Sequence, residues 1–117
     1  MTESTSEWTS QLRRGVLELC ILQVLRGGAS YGYEIVTTLG ALGPLAAGEN
    51  TVYPLLRRLK ADGLLETFME DSPTGPPRQY YQISPDGRRR LTALHREWEA
   101  MAEAVHRCMN VKKEEWS

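Results

Sequence analysis

The chain has 117 residues, enough for one domain with a buried core, or for one domain with an appended helix. Its composition is ordinary, at 41% hydrophobic and 25% charged, and no run approaches the ~18 apolar residues that would suggest a membrane span. The formal net charge of −1 excludes a globally basic protein, so any attraction to phosphate has to come from a local patch.

Residues 1–10 are polar and acidic, without the positive start and apolar stretch of a signal peptide. They are expected to form a flexible arm, and the protein is expected in the cytoplasm. From Gln11 to Arg26, Leu12, Val16, Leu17, Leu19, Cys20, Ile21, Leu22, Val24 and Leu25 predict a helix that is apolar on more than one side. Something beyond its own domain should cover its second face. Gly27-Gly28 ends it.

Ser30 is positioned to cap a second helix, about Tyr31 to Leu42, with Ile35, Leu39 and Leu42 as a narrower apolar stripe. A loop from Gly43 to Gly48 leads to the most informative stretch, Asn50 to Gly63. There Val52, Leu55, Leu56 and Leu59 recur at helical spacing and must be buried, which turns Asn50, Thr51, Tyr53, Arg57, Arg58 and Lys60 outward. Amides, hydroxyls and cations are the groups that meet base edges and phosphates. Pro54 suits only a first turn, so the helix is expected to start near Glu49 or Asn50 and to offer Tyr53 and a free N-terminus to an anion.

After Gly63 the period changes. Leu64 to Glu70 and Gln79 to Ile83 predict two strands, joined by the Pro/Gly loop Asp71 to Pro77 into a hairpin with Arg78 at its base. Ser84-Pro85-Asp86-Gly87 then reads as an N-cap, a proline at the first helical position and an acid in the first turn. Along the long helix that follows, Leu91, Leu94, Trp98, Met101, Val105 and Cys108 alternate at intervals of three and four, an a/d seam suited to pairing with a second subunit. The charged end, residues 111–117, should fray.

Three helices, a two-stranded wing and a seam helix are the order of a winged helix-turn-helix with a dimerisation helix, an α+β fold that is mostly α. Residues 11–83 would form the DNA-binding unit and residues 84–110 the dimerisation helix. In that arrangement the third helix enters the major groove and the wing lies on the backbone or in the minor groove. Arg78 is the wing's candidate contact, or only a flank of the hairpin, and Tyr31 and Tyr33 either reach phosphate or pack with wet tips. Trp98 at a two-fold interface meets its own mate, giving either a plain anchor or a flat slot for a planar aromatic molecule.

An enzyme is not indicated, because no Gly-rich phosphate loop and no Ser/His/Asp or Cys/His grouping within one element occurs. His95 and His106 lie three helical turns apart, too far for one metal, and no cofactor or metal is expected. Cys20 and Cys108, each among apolar residues, read as two buried reduced thiols. The near-neutral charge keeps open a rival from another class, a dimeric winged-helix protein-interaction module without DNA binding.

Tyr31-Gly32-Tyr33-Glu34-Ile35, Asn50 through Leu59 with Asp62-Gly63-Leu64-Leu65, Pro77-Arg78-Gln79-Tyr80-Tyr81 and Ile83-Ser84-Pro85-Asp86-Gly87 resemble the hallmark blocks of PadR-family transcriptional regulators. The resemblance spans roughly Leu12 to Met109. It implies a homodimeric repressor of double-stranded operator DNA, with contacts from Thr51, Tyr53, Arg57 and Arg78, and more weakly from Tyr33 and Lys60. The single short C-terminal helix with Trp98 is similar to the compact subgroup that includes the lactococcal multidrug-binding repressor. That similarity implies that Trp98 stacks on flat, often cationic ligands in an interface pore lined by Leu12, Leu19, Gln23, Met101 and Ala102. Ala102 stands where that relative has an acid, a place that Glu18 or Glu99 would have to fill.

Overall fold

The computed structural model describes residues 2–112. Helices α1 (Thr2–Arg26), α2 (Gly32–Gly40), α3 (Glu49–Ala61) and α4 (Pro85–Asn110) surround a small antiparallel sheet of β1 (Ser30–Tyr31), β2 (Leu65–Ser72) and β3 (Gly75–Ile83) in the order β1-β3-β2. A 3-10 turn, Gly43–Leu45, joins α2 to α3.

Each helix contributes the face its periodicity marked. Leu17, Ile21, Leu22 and Leu25 of α1, Ile35 and Leu39 of α2, and Val52, Leu56 and Leu59 of α3 are buried together with Leu65, Ile83 and Leu91. Fully burying a side chain of this type stabilises by about 1.5–3 kcal/mol, so this one cluster holds the three helices and the sheet in a fixed relation.

Two junctions fix the angles of α3, β2 and α4. Helix α3 closes on Gly63 (φ +78°), whose N–H donates to the Lys60 carbonyl at 3.0 Å while the Leu64 N–H reaches back to Leu59 at 2.9 Å. This is the paired closure that a left-handed glycine after a helix provides. The expected cap of α4 is present: buried Ser84 accepts from the Gly87 N–H at 3.0 Å and donates to the Gly63 carbonyl at 2.6 Å. One hydroxyl therefore ends one helix and starts another.

The structure departs from the sequence-based expectations in several places. Helix α1 begins at Thr2 instead of Gln11, which places the expected arm in helix. Ser30 does not cap α2: it pairs with Tyr81, and Tyr31 with Tyr80, in a third strand that the sequence reading lacked. Helix α2 stops at Gly40, and Leu42, expected in its apolar stripe, is half-exposed in the following turn. Pro54 lies inside α3, beyond the first turn, because Gly48 is already the N-cap. The missing proline N–H leaves the Asn50 carbonyl without its helical donor on an exposed face. The strands extend further toward the tip, so Arg78 lies within β3, opposite Glu70.

The seam of α4 divides. Leu91 is buried in the chain's own core and Leu94 packs against it, whereas Trp98, Met101, Val105 and Cys108 are exposed. The first turns of α4 lie on α1 and β3, and further along a groove separates α4 from α1 and leaves Trp98 and Met101 open. The radius of gyration is 17.4 Å, against about 13 Å for a compact domain of this length. Cys108 is consequently an exposed thiol and Cys20 a half-buried one, not the two buried thiols expected. Of the tail expected to fray, residues 113–117 lie outside the described residues.

Candidate nucleic-acid interface

Helix α3 buries Val52, Leu56 and Leu59, and at ~100° per residue that fixes where its polar residues point. Tyr53, Arg57 and Lys60 lie toward the wing, Asn50 lies opposite the core, and Thr51, Arg58 and Asp62 share the flank toward α1. Asn50, Thr51, Arg57 and Lys60 are exposed.

A groove of about 630 Å³ opens between α3, the start of α2 and β3. It brings together Tyr33, Tyr53, Arg57 and Arg78, four of the seven residues expected to meet DNA, with Tyr31 and Tyr81 beside them. Asn50, Thr51 and Lys60 are outside the groove wall, on the exposed surface of α3. Arg78 is held with its guanidinium carbon 4.4 Å from the centroid of the Tyr31 ring, a cation–π contact that fixes its approach and leaves its N–H groups available. Tyr31 is in turn edge-on to Tyr80 at 5.4 Å, and Tyr80 stacks on Phe68 at 5.5 Å, so the wing cation rests on an aromatic row across the sheet.

Tyr53 is equally constrained. Its hydroxyl donates to Glu49 Oε1 at 3.1 Å. Partial burial, and then the Glu49 carboxylate, push the phenol pKa upward, and its one O–H is engaged by Glu49, so a phosphate contact would have to take that bond over from the carboxylate. Burial also raises the Tyr81 phenol, against the opposing pull of the Arg57 charge. The Tyr53 ring lies where a side chain on residue 32 would be: a Cβ there would stand 2.7 Å from Tyr53 Cε1. Gly32 is thus a glycine of close approach. Neither Tyr31 nor Gly48 caps its helix through a side chain, so the first N–H groups of α2 and α3 are left for solvent or an anion.

Gly32, Glu49 and Tyr81 were not singled out by sequence reasoning. The glycine between two tyrosines was a usable signal for the first. The other two become visible only once helix and strand are adjacent.

A second groove, about 430 Å³, runs between α1 and α4. Leu12, Leu19, Trp98 and Met101, all expected around a ligand, lie in its wall, whereas Gln23 and Ala102 do not. Trp98 is 43% exposed in it. Glu18 and Arg90 also face this groove. Glu18 is not a free acid there, because its two oxygens meet Arg58 at 3.1 Å and Arg90 at 3.0 Å. Burial works to raise its pKa, but the hydrogen bonds and charges of Arg90 and Arg58 outweigh it and hold the carboxyl below its ordinary value. Arg58, placed outward with the other α3 cations by its spacing, is therefore paired to the protein itself.

Among the described residues, no group of three or more His, Cys, Asp or Glu could hold a metal ion, and no helix is long and apolar enough to cross a membrane.

The model of the transcriptional regulator PadR-like family matches residues 21–93. An uncharacterised protein of Lysinibacillus sphaericus is 30% identical over 98 residues, covering 82% of this chain and 90% of that one. Among solved structures, a PadR family transcriptional regulator from Eggerthella lenta superposes with a TM-score of 0.85 at 32% identity, over 95% of this chain and 96% of the other. A PadR-like transcriptional regulator from Bacillus cereus gives 0.79 at 33% identity, over 87% and 99%. A winged fold that assembles tyrosines and two arginines at its third helix, matched by family model and structure alike, places this chain in the PadR-like family of transcriptional regulators.

Proposed function

We propose that the chain acts in the cytoplasm as a homodimeric repressor that binds double-stranded operator DNA through α3 and the wing. The observation that carries this reading is the groove in which Tyr53 and Arg57 of α3 face Arg78 of β3, with Tyr33 at its edge. Hydroxyls and guanidinium groups converging from a helix and a wing match the positioning contacts made to a DNA backbone. Asn50, Thr51 and Lys60 on the exposed surface of α3 are the candidates for the remaining contacts. Residues 11–83 would serve as the DNA-binding unit and 84–110 as the dimerisation helix.

Dimerisation is supported by the apolar residues this single chain leaves open. Trp98, Met101, Val105 and Met109 on α4, with Trp8 and Leu12 on α1, are each at least 43% exposed. Packing against a second copy would cover them and Cys108. In such a dimer the α1/α4 groove would lie beside Trp98 and admit a planar aromatic effector, with Leu12, Leu19 and Met101 in contact. Gln23 and Ala102 would join only through the second copy. Effector entry between the two copies would change the relative placement of the two α3 helices and so lower operator affinity.

The test is fluorescence anisotropy of labelled DNA from upstream of the protein's own gene, with scrambled DNA of equal length alongside. Tighter binding to the first, weakening steeply with salt, is expected. Equal binding to both that ignores salt would favour a protein-interaction module instead.

A further inference from the structure

The recognition helix carries three cations, Arg57, Arg58 and Lys60, yet they are not in equivalent surroundings. Arg58 is forked between two carboxylates, with Nη2 3.1 Å from Glu18 Oε1 and Nη1 3.3 Å from Asp62 Oδ2. The Asp62 pair is a surface contact of helical spacing and holds weakly. Glu18 is different: its side chain is only 17% exposed, and its second oxygen is fixed by Arg90 of α4 at 3.0 Å. The carboxylate is thus held from the α4 side as well, by a contact independent of Arg58, whose own side chain is 54% exposed. Arg58 also shares its flank of α3 with Thr51, a proposed DNA contact, so a released guanidinium would swing onto the same side of the duplex.

We infer that Glu18 is a positioning residue for operator selection: anchored by Arg90, and aided by Asp62, it holds Arg58 to the body of the protein and withholds that cation from phosphate. Phosphate contacts add affinity without regard to sequence, whereas base contacts discriminate. Keeping one arginine of each recognition helix engaged internally lowers binding to all DNA while leaving the groove of Tyr53, Arg57 and Arg78 to act. The same carboxylate fixes α3 against both α1 and α4.

This inference rests on the DNA-binding reading, and a mutant cycle separates the two. Non-specific duplex DNA is titrated by anisotropy across a salt series with the parent, Arg58→Met, Glu18→Gln/Asp62→Asn, and the triple variant. Arg58→Met alone is expected to leave the slope of log affinity against log salt unchanged. In the Glu18→Gln/Asp62→Asn background the slope should steepen, and adding Arg58→Met should flatten it again by about 0.9 per subunit, the value of one phosphate contact. The ratio of operator to scrambled affinity should fall in that background and recover in the triple variant. A merely structural Glu18 would not produce a slope that depends on Arg58. Flattening by Arg58→Met in the parent, or no effect of Arg58 in either background, overturns the inference. If the double substitution unfolds the chain, Glu18→Asp, which keeps the charge but withdraws it from Arg58, replaces Glu18→Gln in the cycle. A parent whose affinity ignores salt overturns the DNA reading itself, which is seen before any variant is made.

Discussion

Gly32 and Tyr53 occupy each other's space: the ring of Tyr53 lies over the glycine, and a Cβ at residue 32 would be 2.7 Å from Cε1 and 3.3 Å from the hydroxyl oxygen. The backbone at the start of α2 thus sets the position of a candidate DNA contact on α3. The obstruction would be a side-chain ring, which can turn away, so Gly32→Ala should cost stability only on the order of 1 kcal/mol. Displacing the hydroxyl should nevertheless weaken the phosphate contact proposed for it, by up to about 1.5 kcal/mol, roughly tenfold in DNA affinity. Thermal unfolding and anisotropy on the same sample separate these effects. Unchanged affinity would remove Tyr53 from the interface.

Gly87 gives the opposite result. Its Cβ would meet the Leu64 carbonyl oxygen at 2.2 Å and Ile83 Cγ1 at 2.7 Å, and backbone does not rotate aside. Gly87→Ala should destabilise by about 3 kcal/mol or more, read as a large fall in the urea midpoint. Gly40→Ala, with open space around its Cβ, is the control and should change stability by no more than about 1 kcal/mol.

Ser84→Ala removes both the cap of α4 and the donor to the Gly63 carbonyl. The cap accounts for about 1 kcal/mol and the buried carbonyl for at least about another. A loss near 2 kcal/mol by chemical unfolding is expected, and Ser84→Thr should recover most of it. Equal losses in both variants would mean that steric fit, not the hydroxyl, governs the site.

These junctions show what a sequence exposes and what it conceals. The Ser84-Pro85-Asp86-Gly87 cap, the Gly63 closure and the buried stripe of α3 are local patterns, and they formed as read except that Leu55, expected in the stripe, is only partly buried at its edge. Strand β1 has only two residues, too short for a periodic signal, and exists because β3 supplies its partners some fifty residues along. Arg58 looked free because its partner Glu18 is separated by 40 residues. The seam of α4 read as a single stripe, but spacing alone could not divide Leu91, which meets its own core, from Trp98, which does not. For the candidate groove, residue types on α3 and at Arg78 were legible, while Gly32 and Glu49, which place Tyr53, depend on tertiary contact.

The Glu18 carboxyl, held below its ordinary value of 4.5 by Arg90 and Arg58, makes stability depend on pH in a defined direction. A carboxyl whose pKa falls on folding stabilises fully above its unfolded value and loses that contribution as pH drops through the lowered folded value. Stability measured by urea unfolding should therefore decline as the pH falls below about 5 and through the lowered folded value. Glu18→Gln should flatten that decline, and an identical profile in parent and variant would show that other carboxyls are responsible.

Trp98→Ala should leave DNA binding largely intact and abolish quenching of the protein's fluorescence by planar aromatic compounds in the α1/α4 groove. Trp8→Phe in the parent background reduces the competing signal from α1. Quenching that persists without Trp98 would place any such ligand elsewhere.

The most direct measurement compares the Tyr53→Phe/Arg57→Ala double variant with the parent on the same operator-containing DNA, with the oligomeric state of both followed by sedimentation. If α3 and the wing read DNA, the variant keeps the parent's assembly and loses about a hundredfold in affinity, as two interactions of about 1.5 kcal/mol each require. Parent-like binding by an intact variant would show that the groove of Tyr53, Arg57 and Arg78 is not the DNA-binding surface.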